Sequence, residues 1–231
     1  MKTTTAFLAA LALAALPACQ KKNNTPGESS GGAPQAGETT ASKPATDPNH
    51  PRVKFVTSMG EFVVELDREK APATVENFLG YVERKHYDGT IIHSAVEGFT
   101  IRGGKFRLKN GHPLEKPTGL GIKNEADNGL KNLRGTIAMD RKPAPDSATA
   151  WFIVNLKDNE GLDRPNPDGH GYAVFGKVVE GMDVVDAIGA VPTESQQVFT
   201  LHPVNGEPTP ATAQNVPKKP VVIESAVLLG K

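Results

Sequence analysis

The feature that most constrains the fold is a series of short β-forming runs that are not separated by regularly spaced helices. Residues 53–58 and 61–66 flank Met59-Gly60, a pattern typical of a β-hairpin. Further strand-forming runs cover residues 91–96, 99–102, 136–139, 151–156, 172–179 and 221–229. Two helices are predicted, one starting at Pro72 and one over residues 182–188. Because strands and helices do not alternate, the pattern favours a barrel or sandwich over a doubly wound sheet.

The composition bounds the size of the fold and excludes several functional classes. With 231 residues, the chain is long enough for one large domain or two small ones. It has 26 Lys and Arg against 26 Asp and Glu, so its formal net charge is zero. That balance argues against a nucleic-acid partner. A single Cys excludes an internal disulfide framework, and the six His are scattered, so we expect no metal site.

The N-terminus carries a targeting signal. Lys2 precedes a short apolar run over residues 6–16, which predicts a signal peptide over residues 1–18. The sequence Leu16-Pro17-Ala18-Cys19 resembles a bacterial lipobox, which implies lipidation of Cys19 and a membrane anchor. The alternative is a generic signal peptide in which Cys19 is incidental.

The segment that follows predicts a tether rather than a fold. Residues 19–51 are rich in Gly, Pro, Ser and Thr and almost lack large apolar side chains, so this stretch is expected to be disordered. In such lipoproteins, a residue like Gln20 after the lipidated Cys implies sorting to the outer membrane. We therefore expect a bacterial envelope protein that faces the periplasm.

Several motifs in the remaining chain resemble one family. Residues 121–139 read GIKNEADNGLKNLRGTIAM and residues 172–182 read YAVFGKVVEGM. Shorter motifs occur around them: His93, Gly98-Phe99, Gly103-Gly104, Asp146-Ser147-Ala148 and Phe152-Ile153. Together these motifs resemble the cyclophilin family, and the type they resemble most is the bacterial periplasmic peptidyl-prolyl cis-trans isomerase. The resemblance implies that residues 52–231 form one cyclophilin-like domain. Its expected fold is mainly β: a closed eight-stranded antiparallel barrel capped by two α-helices, with a substrate groove outside.

The chemistry implied by the resemblance needs no cofactor. Conjugation blocks rotation about an Xaa-Pro amide by roughly 18–20 kcal/mol. In the twisted transition state the nitrogen lone pair can accept a hydrogen bond, so a catalyst needs an apolar slot for proline and a donor aimed at that nitrogen. The expected partners are therefore proline-containing polypeptides, and the expected oligomeric state is a monomer.

The resemblance assigns a set of groove residues. His93 matches the active-site His of the family, and Phe99 and Phe152 match the proline pocket, with Leu162 as a further wall. Without the resemblance, two Phe on strands are more simply explained as core. Other matched peptide-binding positions are Thr100, Arg141, Ala150 and Tyr172.

The catalytic donor is where the chain departs from the family. The usual motif Phe-His-Arg is Ile92-His93-Ser94 here, so Ser94 replaces the catalytic Arg. Arg102 stands where Gln is usual, on a neighbouring strand that faces the same groove in the family. We hypothesise that Arg102 is a surrogate donor; the simpler alternative is an exposed ion pair. Hydrolysis by Ser94 with His93 is disfavoured, because adjacent strand residues point to opposite faces.

Two functions follow from these residues. The first is an isomerase that assists folding of envelope proteins, with reduced activity because of Ser94. The second is a non-catalytic module that binds Pro-containing segments of a partner. Residues 193–220 form a stretch longer than the corresponding family loop, and we interpret them as a surface insertion near one barrel end.

Overall fold

A computed structural model describes residues 47–230. The signal peptide over residues 1–18, Cys19 and residues 20–46 of the tether lie outside the described residues. Within the described part of the chain, no helix is long and apolar enough to cross a membrane.

Thirteen strands and two α-helices make up residues 47–230. The first half contains β1 (Arg52–Thr57), β2 (Gly60–Leu66), α1 (Pro72–Glu83), β3 (Thr90–Ile92), β4 (Ser94–Val96), β5 (Thr100–Gly103), β6 (Phe106–Lys109) and β7 (His112–Glu115). The second half contains β8 (Thr136–Met139), β9 (Phe152–Asn155), a 3-10 turn (Glu160–Leu162), β10 (Val174–Glu180), α2 (Met182–Gly189), β11 (Thr193–Leu201), β12 (Pro208–Pro217) and β13 (Val221–Leu228).

All strands belong to one sheet, which curves into a nearly closed barrel. Its order is β12-β11-β7-β6-β3-β13-β1-β2-β10-β8-β9-β5-β4. Neighbours pair antiparallel except β11 and β7, which are parallel and joined only through Phe199 and Leu114. Strands β4 and β12 are the two ends of the order, so the barrel has an unpaired seam between them.

The predicted elements are confirmed, but the strand count is not. Each predicted strand and helix agrees with the structure to within two residues. The expected eight strands become thirteen because the run over 91–96 is split at His93 and two additional hairpins are present. One of these, β6–β7, turns at Asn110-Gly111, where both residues have positive φ. The other, β11–β12, is formed by the segment that we interpreted as a surface insertion.

The barrel interior is filled by apolar side chains from strands and helices. Phe55 stacks on Phe62 with ring centroids 4.8 Å apart, and α1 contributes Phe78, which is fully buried. The start of α1 is held from a distance: Glu125 accepts hydrogen bonds from the backbone N–H of Ala73 and Thr74. This carboxylate satisfies N–H groups that have no partner within a helix. Helix α2 adds Val185 and Ile188 to the same core.

A second, smaller apolar cluster lies outside this core. It contains Ile91, Phe106 and Val198, with Ala211, Ala213 and Val222 packed against it. Val198, Ala211 and Ala213 belong to the β11–β12 hairpin. The hairpin is therefore packed onto the outer surface of the sheet rather than projecting from the barrel end.

Candidate active site

An open groove lies on the outer face of the sheet along the seam. Its volume is about 720 Å³. One wall is formed by β4, β5 and their connection, including Ser94, Phe99, Thr100 and Arg102. The opposite wall is the β11–β12 hairpin, through Val198, Thr200, Leu201 and residues 211–215. The groove is not filled by the protein's own side chains, so an extended polypeptide has access to it.

Strand register brings the residues of the first wall together. Ser94 on β4 is opposite Arg102 on β5, and Arg102 is opposite Ile153 on β9. Directly opposed residues in adjacent strands point to the same face of a sheet. Ser94, Arg102 and Ile153 therefore point to the same face of the sheet, where Ser94 and Arg102 line the groove and Ile153 is fully buried.

The assignment of Phe152 to the proline pocket is wrong. Phe152 is fully buried, and its ring lies 5.4 Å from Phe55 and 5.8 Å from Tyr87, measured between centroids. A Cβ on Gly103 would lie 2.6 Å from the Phe152 ring, so the ring occupies the interior below β5. Because side chains alternate along a strand, it is Ile153 that faces the side of Arg102.

The same alternation corrects the assignment of Ala150. Its side chain is fully buried in the core, and its carbonyl oxygen accepts a hydrogen bond from the Tyr87 hydroxyl at 2.9 Å. The next residue, Trp151, lines the groove instead. The predicted positions of Phe152 and Ala150 are thus each one residue out of register, because the neighbouring residue of each points to the outer face of the strand.

Phe99 and Leu162 lie close together at one end of the groove. Phe99 is partly exposed and lines both the groove and an adjoining pocket of about 310 Å³, whose other wall includes Leu162. The Asn159 side chain donates a hydrogen bond of 3.0 Å to the Phe99 carbonyl. Thr100 lines the groove floor, and its buried hydroxyl has no partner within residues 47–230.

Arg141 and Tyr172 contact each other beside the groove. The Arg141 guanidinium lies 4.8 Å from the centre of the Tyr172 ring. It also donates to both carboxylate oxygens of Asp168 at 2.7 Å and to the Gly171 carbonyl at 3.0 Å. These bonds hold the guanidinium against the 168–172 loop. Arg141 therefore supports this loop, and its guanidinium is directed to protein partners rather than to the groove.

His93 is a neutral groove residue. It is 8% exposed, its ring packs edge-on against Phe106 with centroids 5.4 Å apart, and its Nδ1 has no hydrogen-bond partner within the described residues. Burial lowers the pKa of His93 to about 3, with the nearby charges of Lys105 and Arg102 acting in the same direction. At neutral pH the ring therefore contributes shape and polarity but no charge.

Asp140 is a groove residue that the sequence gave no reason to select. It is 6% exposed and accepts hydrogen bonds of 3.4 Å from Nη1 of Arg102 at both carboxylate oxygens. The backbone N–H of Arg141 donates to the same carboxylate at 2.9 Å. Burial raises the pKa of Asp140, while the Arg102 charge opposes that rise. The carboxylate fixes the guanidinium of Arg102 beside Ser94.

Comparison with known proteins identifies the family. Residues 52–227 match the family model described as cyclophilin type peptidyl-prolyl cis-trans isomerase/CLD. The chain is 48% identical over 180 residues to peptidyl-prolyl cis-trans isomerase cyp18 of Streptomyces antibioticus, covering 77% of this chain and 98% of that protein. It is 45% identical over 187 residues to peptidyl-prolyl cis-trans isomerase A of Dickeya dadantii, covering 81% and 88%. The chain belongs to the cyclophilin family.

A further relative agrees with this assignment, and a solved structure shares the fold. Peptidyl-prolyl cis-trans isomerase B of Escherichia coli is 43% identical over 180 residues, covering 76% of this cyclophilin and 98% of that protein. A Cryptosporidium parvum cyclophilin, whose crystal structure was determined in the presence of the dipeptide Ala-Pro, has a TM-score of 0.60 at 21% identity. That likeness covers 78% of this chain and 99% of the other, and it shows the fold. The activity of this cyclophilin is peptidyl-prolyl cis-trans isomerisation.

Proposed function

We propose that this cyclophilin isomerises Xaa-Pro bonds of unfolded envelope proteins, with a turnover reduced by the replacement of the catalytic Arg by Ser94. The observation that carries the proposal is the open groove, in which the partly exposed Phe99 ring lies on the same wall as Ser94 and Arg102. Phe99 offers an apolar surface, and Arg102 beside Ser94 offers a guanidinium donor, to one bound peptide.

We propose Arg102 as the surrogate donor. Its side chain is 29% exposed in the groove, directly opposite Ser94. Asp140 accepts from Nη1 only, so Nε and Nη2 have no hydrogen-bond acceptor within residues 47–230. Those donors are free for the prolyl nitrogen, whose lone pair becomes available as the amide twists. A donor held in place before the reaction stabilises the transition state without further reorganisation.

The donor is tested by turnover of a short Xaa-Pro peptide, measured by NMR exchange. We expect Arg102→Ala to lower kcat/KM by about a hundredfold, the usual effect of removing one transition-state donor. Arg107→Ala on β6 is the matched control, since Arg107 is exposed and does not line the groove. Equal rates for wild type and Arg102→Ala would show that Arg102 is not the donor.

Restoring the family residue tests the cost of Ser94. Ser94→Arg should raise kcat/KM by about a hundredfold if a guanidinium at that position aids catalysis in this groove. An inactive wild type together with an inactive Ser94→Arg variant would instead support the non-catalytic peptide-binding module.

We further propose that the protein acts as a monomer on the periplasmic side of the envelope, anchored to the outer membrane by a lipid on Cys19. The support is the sequence Leu16-Pro17-Ala18-Cys19 after a short apolar run. Cell fractionation of wild type and Cys19→Ser tests the anchor: the variant should move from the membrane to the soluble fraction. Equal membrane association of the two would remove the lipid anchor from the proposal.

A further inference from the structure

Two lysines flank the one Trp of the chain inside the groove. The Lys105 ammonium lies 4.1 Å from the centre of the Trp151 ring, and the Lys142 ammonium lies 5.6 Å from it. All three residues line the groove. We call Lys105, Lys142 and Trp151 the Trp151 subsite.

The other charged groups of the groove already have an ion-pair or hydrogen-bond partner, although Nε and Nη2 of Arg102 stay free within residues 47–230. Arg102 pairs with Asp140, and Arg141 pairs with Asp168. Glu115, which is 9% exposed, accepts a hydrogen bond of 3.2 Å from the backbone N–H of Leu201. Neither lysine of the Trp151 subsite forms an ion pair within residues 47–230. The subsite therefore presents two cations without a carboxylate partner.

The indole of Trp151 supplies a second, independent observation. Trp151 is 6% exposed, yet its Nε1 has no hydrogen-bond acceptor in the part of the chain that the structure describes. An unpaired buried N–H is unfavourable unless an acceptor reaches it. Lys105 is also partly desolvated: burial lowers its pKa, against the raising effect of Glu115 and Asp140. A ligand with anionic oxygens would partner these groups.

We infer that the Trp151 subsite binds an anionic side chain of the substrate close to its proline, so that this cyclophilin selects acidic over neutral Xaa-Pro segments. The inference deepens the proposed function, on which it rests. The ligand chemistry is an oxygen anion that accepts hydrogen bonds from lysine and indole N–H groups. Two sources carry it: the carboxylate of Asp or Glu, and the phosphate of a phosphorylated Ser or Thr.

The test uses peptides with one proline and a Glu placed at each of the three positions on either side of it, each with a Gln counterpart. NMR exchange gives kcat/KM for every peptide. At one or more positions we expect kcat/KM to be about tenfold higher for the Glu peptide than for its Gln counterpart at low salt. Near 0.5 M salt this ratio should be clearly smaller, because salt screens the charges. A peptide with phosphoserine at the same position distinguishes the two sources of anion. The anion whose peptide has the larger kcat/KM relative to the Gln peptide is the one that the subsite prefers.

The variants assign the ratio to the subsite. Lys105→Met keeps the apolar contact and removes the charge, and it should reduce the Glu-to-Gln ratio to near one. Lys105→Arg should retain the ratio. Lys109→Met, on β6 outside the groove, is the matched control and should leave the ratio as in wild type.

The outcomes separate this inference from the proposed function. Turnover of Gln and Glu peptides at equal rates at every position would overturn the inference and leave the isomerase intact, as would a ratio that survives Lys105→Met. If no peptide is turned over, the proposed function fails. Titration calorimetry of the same peptides then decides the inference: a Glu peptide must bind about tenfold more tightly than its Gln counterpart, and equal affinities overturn it.

Discussion

The two walls of the groove are built in different ways. The sheet wall of β4, β5 and β9 is backed by the barrel core, so that Ala95, Ile101 and Phe152 fix it from behind. The hairpin wall of β11 and β12 is mostly exposed and is attached through the small cluster around Val198 and Phe106. We therefore expect the sheet wall to provide rigid positions for chemistry and the hairpin wall to influence which polypeptides fit beside it.

The largest expected effect is on the core behind the sheet wall. Phe152→Ala should lower the free energy of unfolding by about 3–5 kcal/mol, because it leaves a cavity under β5. Phe199→Ala on β11 removes an equally large ring from a partly exposed position and should cost about 1 kcal/mol or less. Denaturant unfolding measures both, and equal losses would contradict the difference between the walls.

A smaller effect is expected from removing the hairpin wall. Thr193 and Pro217 are opposite each other at the base of the hairpin, so a two-residue Asn-Gly turn can replace residues 194–216. We expect the shortened protein to fold and to retain turnover of a tetrapeptide within about threefold. Its kcat/KM on a proline-limited refolding protein should fall by about tenfold, a loss of about 1.4 kcal/mol of transition-state binding.

One control accompanies the shortened protein. Replacing the hairpin tip, residues 203–206, with the same turn leaves the groove wall in place and should preserve refolding activity. A shortened protein that matches wild type on both substrates would show that the hairpin wall does not contact polypeptides.

A pH-dependent effect is expected from the titration of His93, which lies between the walls. Its folded pKa of about 3 is below the ordinary value of 6.5, so the unfolded chain binds the extra proton first as the pH falls. The free energy of unfolding is therefore unaffected by this titration above pH 6.5. Below pH 6.5 it should decrease by about 1.4 kcal/mol per pH unit towards pH 3, because the unfolded chain binds the proton that buried His93 does not. Unfolding of His93→Gln between pH 7 and 5 should show a correspondingly weaker pH dependence than wild type.

An NMR titration links this result to the hairpin wall. In the shortened protein we expect the pKa of His93 to rise towards its ordinary value, because the cover over Phe106 and the ring is lost. An unchanged pKa would mean that the sheet wall alone buries His93.

The sequence was sufficient to predict the barrel but not its second wall. The barrel strands are runs of β-branched and aromatic residues bounded by turn residues, and this pattern identifies them. The β11–β12 hairpin exposes most residues on both of its faces, so its sequence lacks an apolar strand pattern. It also contains Pro208, Pro210 and Pro217, which edge strands tolerate but which argue against a strand when only the sequence is known. For β6–β7 a usable signal existed, because Asn-Gly at 110–111 is a strong predictor of a hairpin turn.

The site was predictable where a motif fixed the position of a residue, and less so elsewhere. His93, Ser94 and Phe99 lie in the groove as the motifs implied. Phe152 was placed one residue out of register, and a shift of one residue transfers a side chain to the opposite face of a strand. Asp140 and Lys105 join Trp151 only through strand pairing and loop packing, so no local pattern could have indicated that these two residues belong to the site.

The unpaired seam between β4 and β12 makes the hairpin a separable module. No backbone hydrogen bond ties β12 to the other end of the sheet among the described residues, and a single parallel bridge joins β11 to β7. Natural variation can therefore lengthen, shorten or recompose residues 193–217 without rebuilding the barrel that carries the reactive groups. Client range and catalytic rate are free to diverge independently in such a molecule.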